Sequence, residues 1–260
     1  MTEAVRNQLQ RLLASASGLL GRHAVLVLTL VAGLVPALLL TLAAAGVYDS
    51  VVEEDGVAGL DQPVLDAAIA ARSPALDTAV TGLTNLGGTV GLPLIAGAAV
   101  VALCWWKRTW TPLVLVATAA AGSLLITVVG KSVVGRHRPP LEDAVPPYEY
   151  SASFPSGHSL NSLAVIGTLA YLLVLYLHSR LARAAAITGA VLFIAAVGLS
   201  RVYLGHHWLT DVLVAWTIGL AWLAIVITVH QVLHRRNTRS SAGSGAGSSA
   251  GPAADDPDRG

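Results

Sequence analysis

The chain has 260 residues, 54% of them hydrophobic and only 12% charged, with a net charge of +1 and a mean hydropathy of +0.66. A soluble domain carries about 25% charged residues, so this composition belongs to a bilayer, and the near-zero charge offers no broad basic face for nucleic acid. A single cysteine, Cys104, excludes an internal disulfide and any multi-cysteine metal site; it lies in an apolar run and is assigned to packing.

In residues 1–23, Val5, Leu9, Leu12 and Leu13 recur at helical spacing with Arg6 and Arg11 alongside. The pattern fits a short amphipathic helix on the cytoplasmic surface and, equally, a frayed polar terminus. The apolar run from Ala24 to Val47 exceeds the about 7–15 residues of a signal-peptide core. No small-residue cleavage site stands out, so the run is read as a retained membrane anchor.

A membrane helix needs about 20 mainly apolar residues. Six segments qualify: 24–46, 82–104, 111–131, 158–178, 184–200 and 209–230. They predict an all-α fold, an integral membrane six-helix bundle over residues 24–234. Pro36 is expected to kink the first span without ending it, because neighbouring helices can satisfy the freed carbonyl. The segment 48–81 carries Asp49, Glu53, Glu54, Asp55, Asp61, Asp66 and Asp77 against the single Arg72. Within it, Leu60, Val64, Leu65, Ala68 and Ile69 would line one face of an interfacial helix between the first two spans. Gly87 and Gly91 form a small-residue pair that lets the second span pack closely. Residues 235–260 are a tail, rich in Ser, Gly, Ala, Pro and Asp from Asn237 onward, expected to be disordered because it cannot bury enough apolar surface. The sequence shows no internal repeat.

Orientation follows from the lysines and arginines of short loops. Arg6, Arg11, Arg22, Lys107, Arg108, Arg180, Arg183, Arg235, Arg236 and Arg239 fall on one side of the six-span layout, which marks that side, and both termini, as cytoplasmic. The acidic segment 48–81 goes outside, together with Lys131, Arg136, Arg138 and Arg201. These four break the charge rule locally, and a basic cluster on the outer side suggests a functional reason.

Three stretches near span ends account for that cluster: Lys131 to Pro139, Pro155-Ser156-Gly157-His158, and Ser200-Arg201 followed by His207 and Asp211. Lys131 ends the third span and Arg138 lies seven positions on, about two helical turns, so both can face one way if the helix persists to Pro139. Taken singly, each also fits a snorkelling interfacial residue. Ser156 can cap the fourth span, whose N-terminal N–H groups and dipole attract phosphate, and Gly157 lets an oxyanion approach the backbone. His158 alone would also fit a capped surface histidine. His207 and Asp211 are four apart, which on a helix puts them on one face. The carboxylate can then accept from Nδ1–H and present Nε2 as nucleophile. A shared metal ion is the competing reading for this pair, opposed by the lack of further ligands and by the nearby Lys131, Arg138 and Arg201. His206 has Thr210 rather than a carboxylate at the same spacing, and His137 is assigned to interfacial scaffolding or substrate contact.

Together the patterns K-x6-R-P, P-S-G-H and S-R-x5-H-x3-D, in this order, strongly resemble the type 2 phosphatidic acid phosphatase superfamily. These are membrane lipid phosphatases related in their site to vanadium haloperoxidases. The resemblance spans about residues 60–230, including the approach from Asp61 to Leu83-Thr84-Asn85-Leu86-Gly87, and no motif position departs from it. It implies six membrane helices and metal-independent hydrolysis with no cofactor. By motif position His207 would attack phosphorus to form a phosphohistidine, Asp211 would orient it, and His158 would protonate the leaving oxygen. Lys131, Arg138, Ser156, Gly157 and Arg201 would hold the phosphoryl oxygens.

The expected function is hydrolysis of a lipid phosphate monoester or diphosphate in the bilayer. Phosphatidate, an undecaprenyl-type diphosphate and phosphatidylglycerol phosphate all fit, and an outward-facing site favours the first two. The alternatives are a lipid phosphotransferase using the same phosphohistidine, and a non-catalytic lipid-phosphate binding or transport protein, against which the intact His158, His207 and Asp211 speak. Substrate identity, oligomeric state and pathway are not encoded in these motifs.

Overall fold

In the computed structural model, backbone is described for residues 3–53 and 55–245, and side chains for 24–53 and 55–235. Among the described residues there are eight α-helices and no strand: α1 (Glu3–Glu53), α2 (Asp61–Ala70), α3 (Pro74–Leu86), α4 (Gly91–Lys107), α5 (Thr111–Val134), α6 (Gly157–Tyr176), α7 (Arg180–Tyr203) and α8 (Leu209–Gly245). Short 3-10 turns occupy Gly56–Leu60 and Leu141–Asp143. Five stretches are long and apolar enough to cross a membrane: Ala24–Glu53, Thr111–Val134, Gly157–Tyr176, Arg180–Tyr203 and Leu209–Arg235. A sixth is reached when α3 and α4, which pass the same test together but meet at a 47° bend, are taken as one broken span. The second span is thus not the straight 82–104 segment that hydropathy predicts.

The chain divides into two units, residues 32–227 and the two end segments 1–31 and 228–260. In the latter the backbone is helical where described, and the His230 and His234 rings stack 5.9 Å apart. The amphipathic face expected within residues 1–23 and the final residues 246–260 lie outside the described residues. Helix α8 runs on to Gly245, past Asn237, where composition predicts loss of order. Extending an existing helix costs far less than nucleating one.

Residues 32–227 hold the core. On α4, Leu92, Ala96, Val100 and Leu103 recur at intervals of three and four and bury one stripe. They meet Leu115 and Val116 of α5, Val165, Leu169 and Leu172 of α6, and Val226 of α8. Large apolar side chains on the opposite faces, such as Leu94, Val101, Leu125 and Val191, are exposed, as a lipid-facing surface requires. Helix α6 packs between α5 and α7, and α3 lies on α7. Gly87, at the bend, makes that last approach possible: a Cβ there would fall 2.4 Å from Cγ1 of Val197. The small-residue pair therefore serves packing at the break, with Gly91 opening α4.

Helix α2 falls between the first two spans. Its Val64, Leu65, Ala68 and Ile69 stripe is the protected face and packs on α7, whereas Leu60 is exposed. Arg72, the single arginine of the acidic segment, donates to the carbonyl of Tyr203 through Nε (3.0 Å) and Nη2 (2.7 Å) and to that of Asp143 (2.8 Å). Tyr203 in turn donates its hydroxyl to Asp77 at 2.7 Å. A guanidinium on the orphan carbonyls at a helix C-terminus is favourable, and here it fixes the chain immediately before His207.

Candidate active site

The cationic stretch leaves α5 through Gly135, whose left-handed φ of 60° ends the helix. Lys131 and Arg138 are therefore not on one helix, as the spacing had suggested. They converge all the same, on Ser151: Lys131 Nζ lies 3.3 Å from its hydroxyl and Arg138 Nη2 3.1 Å. Lys131 also donates to the Ala152 carbonyl, and Arg138 to the carbonyls of Ser151 (2.7 Å) and His206 (2.5 Å). Ser156 is the N-cap of α6, accepting from Ser159 N at 3.5 Å and paired with the Ser159 hydroxyl at 2.9 Å. Gly157 opens α6 against Thr127, 3.1 Å from where its Cβ would be. His158 follows, with Nε2 facing the α3–α4 bend, 3.1 Å from the Cβ position of Gly88.

His207 precedes α8 instead of lying on it, yet it meets Asp211. The aspartate is the third residue of α8, and its Oδ2 accepts from the backbone N–H of Trp208 at 3.0 Å, which is the reciprocal half of a capping box. The same oxygen accepts from the Ser153 hydroxyl at 2.5 Å and lies 3.4 Å from His207 Nδ1. Ser153 Oγ is itself 3.3 Å from Nδ1. With its hydroxyl committed to the carboxylate, Ser153 can only accept from the imidazole, so this network assigns the proton to Nδ1 and the lone pair to Nε2. Nε2 faces Arg138 Nη1 at 3.2 Å.

Arg201, buried in the last turn of α7, donates to Thr84 of α3 at 3.2 Å. It also contacts Glu149, whose other carboxylate oxygen is 2.8 Å from Arg138. Among the described residues Arg201 Nε is buried without a hydrogen-bond partner. That donor lies beside a carboxylate held by two arginines, so the cluster has hydrogen-bonding capacity suited to an oxyanion. Burial alone would favour neutral Glu149, but Arg201 and Arg138, with His207 and His158 behind them, hold it down at about 2. Burial, then Arg138, Arg201 and Lys131, push His207 well below the usual 6.5. Burial and Arg201 likewise lower His206 to about 4, although its Nε2 meets the Val145 carbonyl at 2.7 Å. His206 is thus committed to the scaffold, and His137 contributes its carbonyl to Trp208 Nε1 at 3.0 Å.

The structure gathers Lys131, Arg138, Arg201, His158 and His207 around Glu149, with Asp211 behind His207 and with Ser156 and Gly157 at the adjoining helix start. The motifs left out four residues. Ser153 completes the His207–Asp211 pair. Glu149, the sole acid between Asp143 and Pro155, pairs with both Arg138 and Arg201. Arg136, visible in sequence only as one cation of the cluster, bridges Asp211 (2.7 Å) and Asp61 (2.7 Å), and Asp61 reads in sequence as part of an acidic segment. A metal shared by His207 and Asp211 finds little room, since Arg136, Ser153 and Trp208 already engage both carboxylate oxygens.

Fold and site together define a multi-pass membrane protein with a histidine set beside an anion cradle. The chain belongs to the PAP2 superfamily, whose pattern matches residues 112–235. It is 35% identical over 183 residues to phosphatidylglycerophosphatase B of Bacillus subtilis (strain 168), covering 67% of this chain and 85% of the relative. The fold is similar to the crystal structure of the transmembrane PAP2 type phosphatidylglycerolphosphate phosphatase from Bacillus subtilis. That match has a TM-score of 0.66 and 30% identity, and covers 76% of this chain and 96% of the other. The membrane PAP2 lipid phosphatases are therefore its family.

Proposed function

We propose that this chain hydrolyses the phosphate monoester or diphosphate of a lipid through a phosphohistidine on His207. The observation that carries the reading is the convergence of Arg138 and Arg201 on one carboxylate, with Arg138 also 3.2 Å from His207 Nε2. A phosphoryl group exchanged for that carboxylate would be gripped by two planar guanidiniums and Lys131, with its phosphorus next to the imidazole lone pair. Charge on the transferring oxygens is what such donors stabilise.

In the first half-reaction Nε2 bonds to phosphorus, the P–O bond to the lipid breaks, and His158 gives its proton to the departing alkoxide. A lipid alkoxide leaves poorly, so that proton is worth about 10²–10⁴-fold in rate. In the second, His158 takes a proton from water, the new P–O bond forms, and the Nε2–P bond breaks. Asp211, with Ser153, holds Nδ1–H throughout and stabilises the charge on the phosphorylated ring. None of these steps calls for a metal.

The loop-charge pattern supports an outward-facing site with both termini cytoplasmic. That arrangement favours a polyprenyl diphosphate or phosphatidate, and the relatives' names add phosphatidylglycerol phosphate. The test is phosphate release from these three lipids by detergent-purified protein in EDTA, beside His207→Ala. Release by the wild type alone is expected. Equal release by the variant overturns the phosphohistidine, and silence on every lipid from folded protein favours transfer to another acceptor or binding without turnover.

A further inference from the structure

Arg136 is the one arginine of the cluster that does not face the anion position. Its Nη1 donates to Asp211 Oδ1 at 2.7 Å and to the Thr210 hydroxyl at 2.8 Å, and its Nη2 donates to Asp61 Oδ2 at 2.7 Å. Asp61 closes the circuit by accepting from Thr210 N at 2.9 Å and from its hydroxyl at 2.6 Å. Helix α2, the loop after α5 and the first turn of α8 are thereby joined through a carboxylate–guanidinium–carboxylate chain. Both acids are buried. Asp211 divides its oxygens, with Oδ1 serving Arg136 and Oδ2 facing Ser153 and His207.

We propose that Arg136 is a positioning residue for the histidine nucleophile: it fixes Asp211 and screens its charge, so that His207 stays neutral while substrate is bound. The proposal rests on the reading of His207 as nucleophile. An unscreened buried carboxylate would favour an imidazolium, whose Nε2 lone pair is lost. A cation beside the His207–Asp211 pair disfavours the extra proton whichever residue carries it, because the two titrate together. Other charges face His207: Lys131 from α5, Arg138 and Glu149 from the α5–α6 loop, and Arg201 from α7. His158 of α6 and His206 stand nearby, and Asp61 of α2 lies behind Arg136.

When a phosphate dianion binds, it takes the charge of Lys131, Arg138 and Arg201 for itself, and their hold on the imidazole weakens. Arg136, behind Asp211, makes no contact with the anion position, and its charge persists. Its charge therefore makes up a larger share of what opposes the imidazolium in the enzyme–substrate complex than in the free enzyme.

The experiment compares pH profiles of phosphate release for wild type, Arg136→Lys, Arg136→Met and the Arg136→Met/Asp61→Asn double variant. The double variant avoids leaving two buried carboxylates face to face if the single one does not fold. The kcat profile reports groups in the complex and kcat/KM those of the free enzyme. Removing the charge should raise the acidic limb of kcat by about one pH unit, and that of kcat/KM from its lower starting point by a similar amount, while Arg136→Lys stays near the wild type. A lowered kcat with an unmoved limb overturns the proposal, as does an equal shift in Arg136→Lys. Carbon-13 NMR titration of the His207 ring with inorganic phosphate bound, assigned by difference from His207→Ala, reads the same protonation without turnover. It decides the screening claim even if phosphate release fails and the hydrolytic reading falls.

Discussion

Replacing Glu149 by glutamine should tighten the binding of a phosphate analogue. Its carboxylate spans the two guanidiniums that the phosphoryl group needs, 2.8 Å from Arg138 through Oε2 and in contact with Arg201 through Oε1. It must leave before those donors can turn to substrate. Arg138 and Arg201 stay charged, so with glutamine each bond loses only its ion-pair part and moves from the upper toward the lower end of the about 1.5–3 kcal/mol span for bonds to charged groups. The side chain is 30% exposed, and solvent screening takes the difference toward the low end of that range. Weakening two bonds by roughly 0.5–1 kcal/mol each gives about 1–2 kcal/mol, or about 5–30-fold in affinity. The assay is inhibition of phosphate release by inorganic phosphate and by orthovanadate at pH 7, where a carboxyl held at about 2 is ionised. Both inhibition constants should fall by that factor. An unchanged or weaker inhibition would refute the idea that the carboxylate competes for the anion position.

His158→Ala should reduce hydrolysis of lipid phosphates by about 10²–10⁴-fold and that of an activated aryl phosphate much less, since a good leaving group does not need the proton; equal losses would remove its acid role. Because His207 is pushed well below 6.5, protonation of the nucleophile is deferred to lower pH. The kcat/KM of the wild type should therefore not fall as pH drops through 6.5, and an acidic midpoint at or above that value would contradict the assignment. Gly87→Leu should force α3 away from Val197 and destabilise the fold by about 1–3 kcal/mol; an unchanged melting temperature in detergent would show that the bend is not set by this contact.

Hydropathy sufficed for five of the six spans and their order, because a bilayer demands long apolar helices whatever their neighbours. It placed the second span as one helix, since a hydropathy window does not register the turn at Gly87–Val90 that splits α3 from α4. Spacing allowed Lys131 and Arg138 to face one way only if the helix persisted beyond Lys131. The structure ends it at Gly135, and the two cations meet by way of a loop instead. The motif residues themselves were legible because phosphate chemistry needs cations and histidines of fixed type, and such groups are conspicuous in apolar sequence.

Their supporting partners were not legible in the same way. Asp61 is separated from Thr210 by 149 positions, Arg136 from Asp211 by 75, and Ser153 from Asp211 by 58. Each is an ordinary surface-type residue until folding brings it to its partner. Residue type and local period thus determined a multi-span membrane protein and singled out its candidate histidine and cation residues from sequence alone. The motif singled out Arg138, but only the tertiary structure decided that Arg136, two residues away with an identical guanidinium, turns the other way to hold Asp211 and Asp61, because that role depends on what the fold sets opposite it.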